Sequence, residues 1–185
     1  MSSLTKSPKL NRDDWLQAAL ERCQLGVETI KVAPLAAQLG VTTGSFYWHF
    51  KNRRELLDAM LEYWEHEMTD APIAAAKHYQ GSPIDRILHL MESVLVGLVS
   101  VYDLPIAQWA KADSKVSFVF KRAIKKRFDF ATWIFAEAGF SPEQSAARGR
   151  LMVTYMMAES SFIPDSISKR KELLKLKHAI LTAPE

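Results

Sequence analysis

The sequence predicts an all-α protein with a small three-helix head and a larger helical body, about nine helices in all. Three observations predict it. There is no Asn-Gly or Asp-Gly hairpin turn and no sustained alternation of apolar and polar residues. Apolar residues recur instead at three- and four-residue spacing. Glycines, prolines and capping residues punctuate those runs at helix-sized intervals.

The first helix carries the stripe Trp15, Leu16, Ala19, Leu20 and Cys23. Asn11 is placed to cap it, with Asp14 three residues on, and Gly26 ends it. A short helix follows over about Val32–Leu39, closed by Gly40. Pro34 falls in its first turn, where a missing N–H does little harm. Another short helix is expected over Thr43–Phe50. Asn52 then caps a long helix reaching Asp70. Pro72 and Gly81-Ser82-Pro83 read as breaks. An apolar helix fills Ile84–Val101, and Pro105 opens a short one. Ser114 starts a helix running to Gly139, and Pro142 one running to Ile163. Pro164-Asp165 breaks the pattern before a last helix over Ser166–Leu181. The expected domains are 1–54, with the first ten residues as an arm, and 55–185, with 52–70 as the connecting helix.

With 185 residues, 48% of them hydrophobic and 24% charged, the composition is that of a globular protein able to bury a real core. Cys23 is the single cysteine, which rules out an internal disulfide. No window holds 18 uncharged apolar residues, so no membrane span is expected. The first residues lack the apolar core of a signal peptide, and the expected location is the cytoplasm. The net charge is only +3, but it is unevenly spread. Residues 1–54 hold eight Lys/Arg against four Asp/Glu, whereas residues 55–70 hold six acids and no Lys or Arg. A basic head attracts polyanions even on a nearly neutral chain.

The segment LAAQLGVTTGSFYWHF, residues 35–50, is the most informative. Ala36 is small enough for a second helix to approach. Gly40 sits where a sharp turn needs a left-handed residue, Val41 plugs the angle, and Thr42 is placed to cap the next helix. Phe46 and Phe50 share one face, assigned to the core. Thr43, Gly44, Tyr47 and Trp48 point the other way. A helix this short and this poor in helix formers needs packing to hold it. Two large aromatics nevertheless remain on its outer face. They either cover another part of the molecule or present a recognition surface to a major groove. The next residues, KNRRELL, place Asn52 and Glu55 in a capping-box pattern and two arginines in the first turn. A nearby phosphate would suit both arginines.

The run GSFYWHFKNRRELLDAM, with the turn glycine before it, resembles the recognition helix and linker start of tetracycline-repressor (TetR) family regulators. The resemblance covers residues 12–65. It implies a helix-turn-helix head that binds double-stranded operator DNA, and a homodimer that places two heads about 34–36 Å apart. It also implies a body that takes a small-molecule effector. Lys31, Thr42, Thr43, Gly44, Ser45, Tyr47, Trp48, His49, Lys51 and Arg53 are the implied DNA contacts. Of these, Thr42–Ser45 would lie at bases and adjacent backbone, and Tyr47, Trp48 and His49 at phosphates or thymine methyls. Lys31 would reach a phosphate by charge, and Arg53 stands at a phosphate-binding position. Repression relieved by the effector is the function implied.

The resemblance places the dimer on the last two helices. Leu151, Tyr155, Ile167, Leu174 and Leu181 are its candidates, with Leu173, Leu176 and Ile180 beside them. The same stripes equally suit burial within one subunit. Pocket candidates are Trp64, Met68, Met91, Tyr102, Trp109, Phe118, Trp133, Met152, Tyr155 and Met156, although such residues more often form plain core. His89 and Tyr155 are the polar candidates there. KRAIKKR, residues 121–127, reads as a solvated face opposite Phe118, Ile124, Phe128 and Trp133. Glu62 and His66 lack a third ligand, so no metal is expected. No nucleophile elbow, P-loop, HExxH or apolar carboxylate pair is present, so no enzyme and no cofactor are expected. A helical protein-interaction module, or a small-molecule-binding protein without a DNA function, is the alternative.

Overall fold

The computed structural model describes residues 10–97, 99–162 and 165–184. The expected N-terminal arm lies outside them except for its last residue, and so does the expected Ile163–Pro164 helix end. Ten α-helices and no strand occur among the described residues. The chain divides into two compact units between Tyr63 and Trp64.

In the first unit, α1 (Arg12–Cys23) opens on a complete capping box. Asn11 Oδ1 accepts from the Asp14 N–H at 3.0 Å, and the Asp14 carboxylate accepts from the Asn11 N–H at 2.6 Å. α2 (Val32–Gln38) ends in a Schellman turn. There Gly40 takes φ +69°, the Val41 N–H donates to Ala36 O at 2.9 Å, and the Gly40 N–H donates to Ala37 O at 3.2 Å. That turn aims α3 (Thr43–Phe46) across α1 and α2. Trp15, Leu20, Ile30, Leu35, Phe46 and Phe50 are all fully buried in the resulting core. Burial pushes the Cys23 thiol up to about 11, which keeps it protonated and inert at neutral pH.

Pro72 does not break the helical path, contrary to the expectation from its residue type. α4 (Arg53–Glu65), a π-helical turn (His66–Asp70) and α5 (Ala71–His78) follow one another without interruption. A proline in a helix removes one N–H and presses on the carbonyl four residues back. The wide turn just before Pro72, where the Ala71 N–H reaches back to His66 O, accommodates that ring within the helical run.

In the second unit, α6 (Pro83–Val96), α8 (Ser114–Glu137), α9 (Pro142–Phe162) and α10 (Ile167–Thr182) pack around one core. α6 stops at Val96 rather than at 101, and α7 (Asp103–Trp109) begins two residues before Pro105. α8 and α9 run in close contact. Gly149 of α9 lies so near α8 that a Cβ there would sit 3.0 Å from Thr132 N and 3.1 Å from Ala131 C.

KRAIKKR is not merely a solvated face. Arg122 and Lys126 grip Glu65, with Arg122 Nε at 2.8 Å and Lys126 Nζ at 3.1 Å. Lys126 also holds Asp70 at 2.8 Å. Arg127 turns inward and is 12% exposed. The cations of α8 therefore pin the π-helical turn.

Two expectations follow. Gly149→Ala should lower stability by about 1–3 kcal/mol, because the clash is with α8 backbone that cannot step aside. A shift of the urea midpoint at unchanged slope checks it. The Arg122 guanidinium, helped by Lys126, holds the Glu65 carboxyl below its ordinary value of 4.5. A depressed folded-state pKa stabilises above the unfolded value, and that stabilisation is lost as pH falls through the folded one. Glu65→Gln should therefore flatten the acid limb of a melting-temperature profile, mainly below about pH 4.5.

Candidate nucleic-acid interface

α3 is a single short helical segment whose inner side is fixed by rings. Phe46 meets Trp15 edge-on at 5.5 Å and Phe50 at 5.5 Å, and the Arg12 guanidinium lies 4.9 Å over Phe50. The Phe50 N–H donates to Phe46 O at 3.0 Å, extending the helical path beyond α3. With those rings occupying the core, the residues between them have nowhere to go but out. Tyr47 is 63% exposed and Trp48 88% exposed. Thr42, Thr43 and Gly44 are exposed beside them, and Ser45 and His49 are half-buried. Lys31 and Lys51 are exposed at either end of the segment. One contiguous stretch thus offers hydroxyls, a bare backbone, two aromatic rings and flanking cations.

Two local assignments change. Thr42 occupies the N-cap position, but its hydroxyl makes no capping bond. Arg53 is half-buried rather than directed to solvent: Nε donates to Ile30 O at 2.5 Å and Nη2 to Val27 O at 2.6 Å. It stitches the start of α4 to the turn that precedes α2. Sequence spacing alone gave no sign of this, since both acceptors are backbone carbonyls more than twenty residues away. The Asn52 cap stands, with its side chain accepting from the Glu55 N–H at 2.9 Å, while the Glu55 carboxylate reaches the Lys51 N–H at 2.8 Å. Arg54 pairs with Asp58 at 3.1 Å.

In the second unit, the sequence candidates separate. Met68, Met152 and Met156 line a cavity of about 40 Å³ between α5, α6, α8 and α9. Met91 is core, Trp64 stacks on Phe120 at 5.9 Å, and Tyr102 and Trp109 are buried outside the cavity lining. Phe118 is a correction, 66% exposed on the surface of α8, and Trp133, 39% exposed, lines a separate surface groove with Ile73, Lys77 and Phe130 rather than this cavity. His89 stacks on Tyr79 at 4.6 Å, away from the cavity. Tyr155 packs against the unit's core, its hydroxyl buried without a partner among the described residues. Sequence reasoning missed the cavity's polar wall, Thr69, Asp103 and Arg127. Among the described residues, no cluster of three potential His, Cys, Asp or Glu ligands could hold a metal.

The dimer candidates also divide. Leu174 is a correction, buried in its own unit, and Tyr155 and Leu181 pack on the same core. Leu151 and Ile167 are exposed, at 63% and 53%. Leu176, Ile180 and Phe162 are exposed too, so the outer faces of α9 and α10 carry an apolar surface that their own unit leaves uncovered.

The family described as bacterial regulatory proteins, tetR family, matches residues 24–60, which hold α2, α3 and the first part of α4. The class C tetracycline repressor of Escherichia coli is 46% identical over 55 residues, 29% of this chain and 25% of the repressor. Residues 24–60 are thus similar to the matching segment of TetR-family regulators. The match spans about a quarter of that repressor's own length. The whole fold is similar to that of AibR, solved with isovaleryl coenzyme A and operator DNA (TM-score 0.68, 19% identity, 94% and 98% of the two chains covered). It is also similar to that of FadR from Bacillus subtilis, solved with stearoyl-CoA (TM-score 0.65, 16% identity, 94% and 98% covered). No single helix among the described residues is long and apolar enough to cross a membrane.

Arg53 should therefore matter to this head as a brace. Arg53→Ala is expected to destabilise it by about 1–3 kcal/mol, because two backbone carbonyls lose charged donors. Hydrogen exchange around Val27–Leu39 reads the effect, and Arg53→Lys, with no planar fork, should restore only part of it.

Proposed function

We propose that the protein is a DNA-binding transcriptional regulator, a repressor that holds its operator as a homodimer and is released by a small-molecule effector. It acts in the cytoplasm and is not an enzyme. The observation that carries this reading is the exposure of Tyr47 and Trp48 at the end of α3 and in the turn after it, between two phenylalanines locked in the core. Large rings held in water by a rigid support are groups reserved for contact. A helix in this setting fits the major groove. Thr43, Ser45 and the bare Gly44 lie near base edges, and Tyr47 and Trp48 meet sugar, phosphate and thymine methyls. Thr42, His49, Lys31 and Lys51 bond the phosphates. Arg53 supports them from behind.

The exposed apolar faces of α9 and α10 suit a self-complementary contact between two bodies. AibR and FadR were each solved with an acyl-CoA bound, and this chain shares their fold and keeps a cavity in its body. The effector would favour a dimer whose heads no longer match successive grooves. It need only bind that state better, and coupling of about 1–3 kcal/mol is typical. α4 covalently joins the head to the body and is the route for that change.

The test is a gel shift on DNA upstream of the protein's own coding region. Specific binding is expected, weakening steeply with salt as counterions return to the phosphates. Tyr47→Ala and Trp48→Ala should each weaken it about 10-fold or more while leaving the melting temperature unchanged. Full binding by the double variant would overturn the reading.

A further inference from the structure

The body cavity has a polar wall that is already charge-neutral. We propose that it takes an uncharged, mainly apolar ligand bearing one acceptor oxygen, such as an alcohol, ketone or ester, rather than a carboxylate or an amine. This rests on reading the body as the effector-binding unit.

The wall contains one full positive and one full negative charge, and they satisfy each other. Arg127 donates from Nη1 to Asp103 Oδ2 at 2.6 Å and from Nη2 to Asp103 Oδ1 at 3.0 Å. Its Nε donates to Thr69 Oγ1 at 2.9 Å, and Trp64 Nε1 donates to Asp103 Oδ1 at 3.2 Å. Asp103 is 1% exposed and Arg127 12%. A ligand carboxylate could bind here only by taking Arg127 from Asp103, and an ammonium only by taking Asp103 from Arg127. Either exchange strands a buried charge, which outweighs what a new ion pair returns. A neutral ligand leaves the pair intact.

Thr69 then sets the polar requirement. It is 1% exposed, its oxygen accepts from Arg127, and its own hydrogen has no acceptor among the described residues. The complement is one ligand oxygen. Ser100 faces the same cavity with its hydroxyl already donating to Met156 O at 2.9 Å.

Size and softness come from the remaining walls. About 40 Å³ holds a water or two, whereas drug-sized ligands occupy roughly 300–1,000 Å³. Met68, Met152, Met156 and Met157 surround the space. Thioether chains with three rotatable bonds can withdraw to admit a short chain and then close on it.

The experiment titrates the full-length protein, without DNA, with 1-hexanol, hexanoate and hexylamine at pH 7, by calorimetry and thermal melting. Hexanol should bind and raise the melting temperature, with hexanoate and hexylamine weaker by on the order of 100-fold. Equal or tighter binding of either ion, or no binding of hexanol, overturns the proposal. Asp103→Asn should reverse the order in favour of hexanoate, because Arg127 is then unneutralised. Should that variant fail to fold, Thr69→Val should lower hexanol affinity several-fold and leave hexanoate unchanged, and unchanged hexanol affinity would overturn the Thr69 assignment. With DNA absent, failure here leaves the gel-shift reading standing, and a failed gel shift leaves this selectivity intact.

Discussion

The head depends on one piece of packing: Phe46 held edge-on against Trp15, with Phe50, four residues on, packed against Phe46. A helix of one turn has almost no stability of its own. Once those two rings are buried, the helix cannot rotate without exposing them, and so Tyr47 and Trp48 cannot turn inward. Everything proposed about nucleic acid follows from that frozen rotation. Gly40 sets the direction of approach, and Arg53 ties the following helix to the same frame by gripping Val27 and Ile30.

The head was largely legible in the sequence because its signals are local. The cap of α1, the turn at Gly40 and the i,i+4 phenylalanine pair each involve residues within five positions. Their geometry follows from spacing alone. Arg53 escaped because its acceptors are backbone carbonyls on a different turn. Two cations in a first helical turn oppose the helix dipole and invite an anion. The structure instead gives one of them carbonyls and the other Asp58.

The body was legible in its elements but not in its interior. Prolines, glycines and caps fixed the starts of most helices, and the exception was instructive. Pro72 reads as a stop, yet the π-helical turn before it absorbs the ring, and pattern rules have no signature for that. Which face of a helix meets which neighbour is a tertiary choice. KRAIKKR reads as solvated because five of its seven residues are cations. Glu65, Asp70 and Asp103, all distant in sequence, pair with three of its cations, and Arg127 is drawn inward. For the same reason Phe118 and Trp133 lie outside the cavity, and Asp103 and Arg127 line it.

A common logic links the two units. In each, a short apolar support fixes polar or aromatic groups whose bonding capacity is either left open or fully taken. In the head the outward groups are open, which favours a polyanionic groove. In the body the charges close on each other, which favours a neutral guest.

On this reading the Trp48 ring, not some other part of the molecule, meets the duplex. Fluorine NMR of protein carrying 5-fluorotryptophan tests it directly, with the five resonances assigned by Trp→Phe variants. On adding upstream duplex, the Trp48 signal should shift and lose its solvent isotope effect, while Trp15 and Trp64, both buried, stay put. Duplex binding that leaves the Trp48 signal where it was would contradict the account.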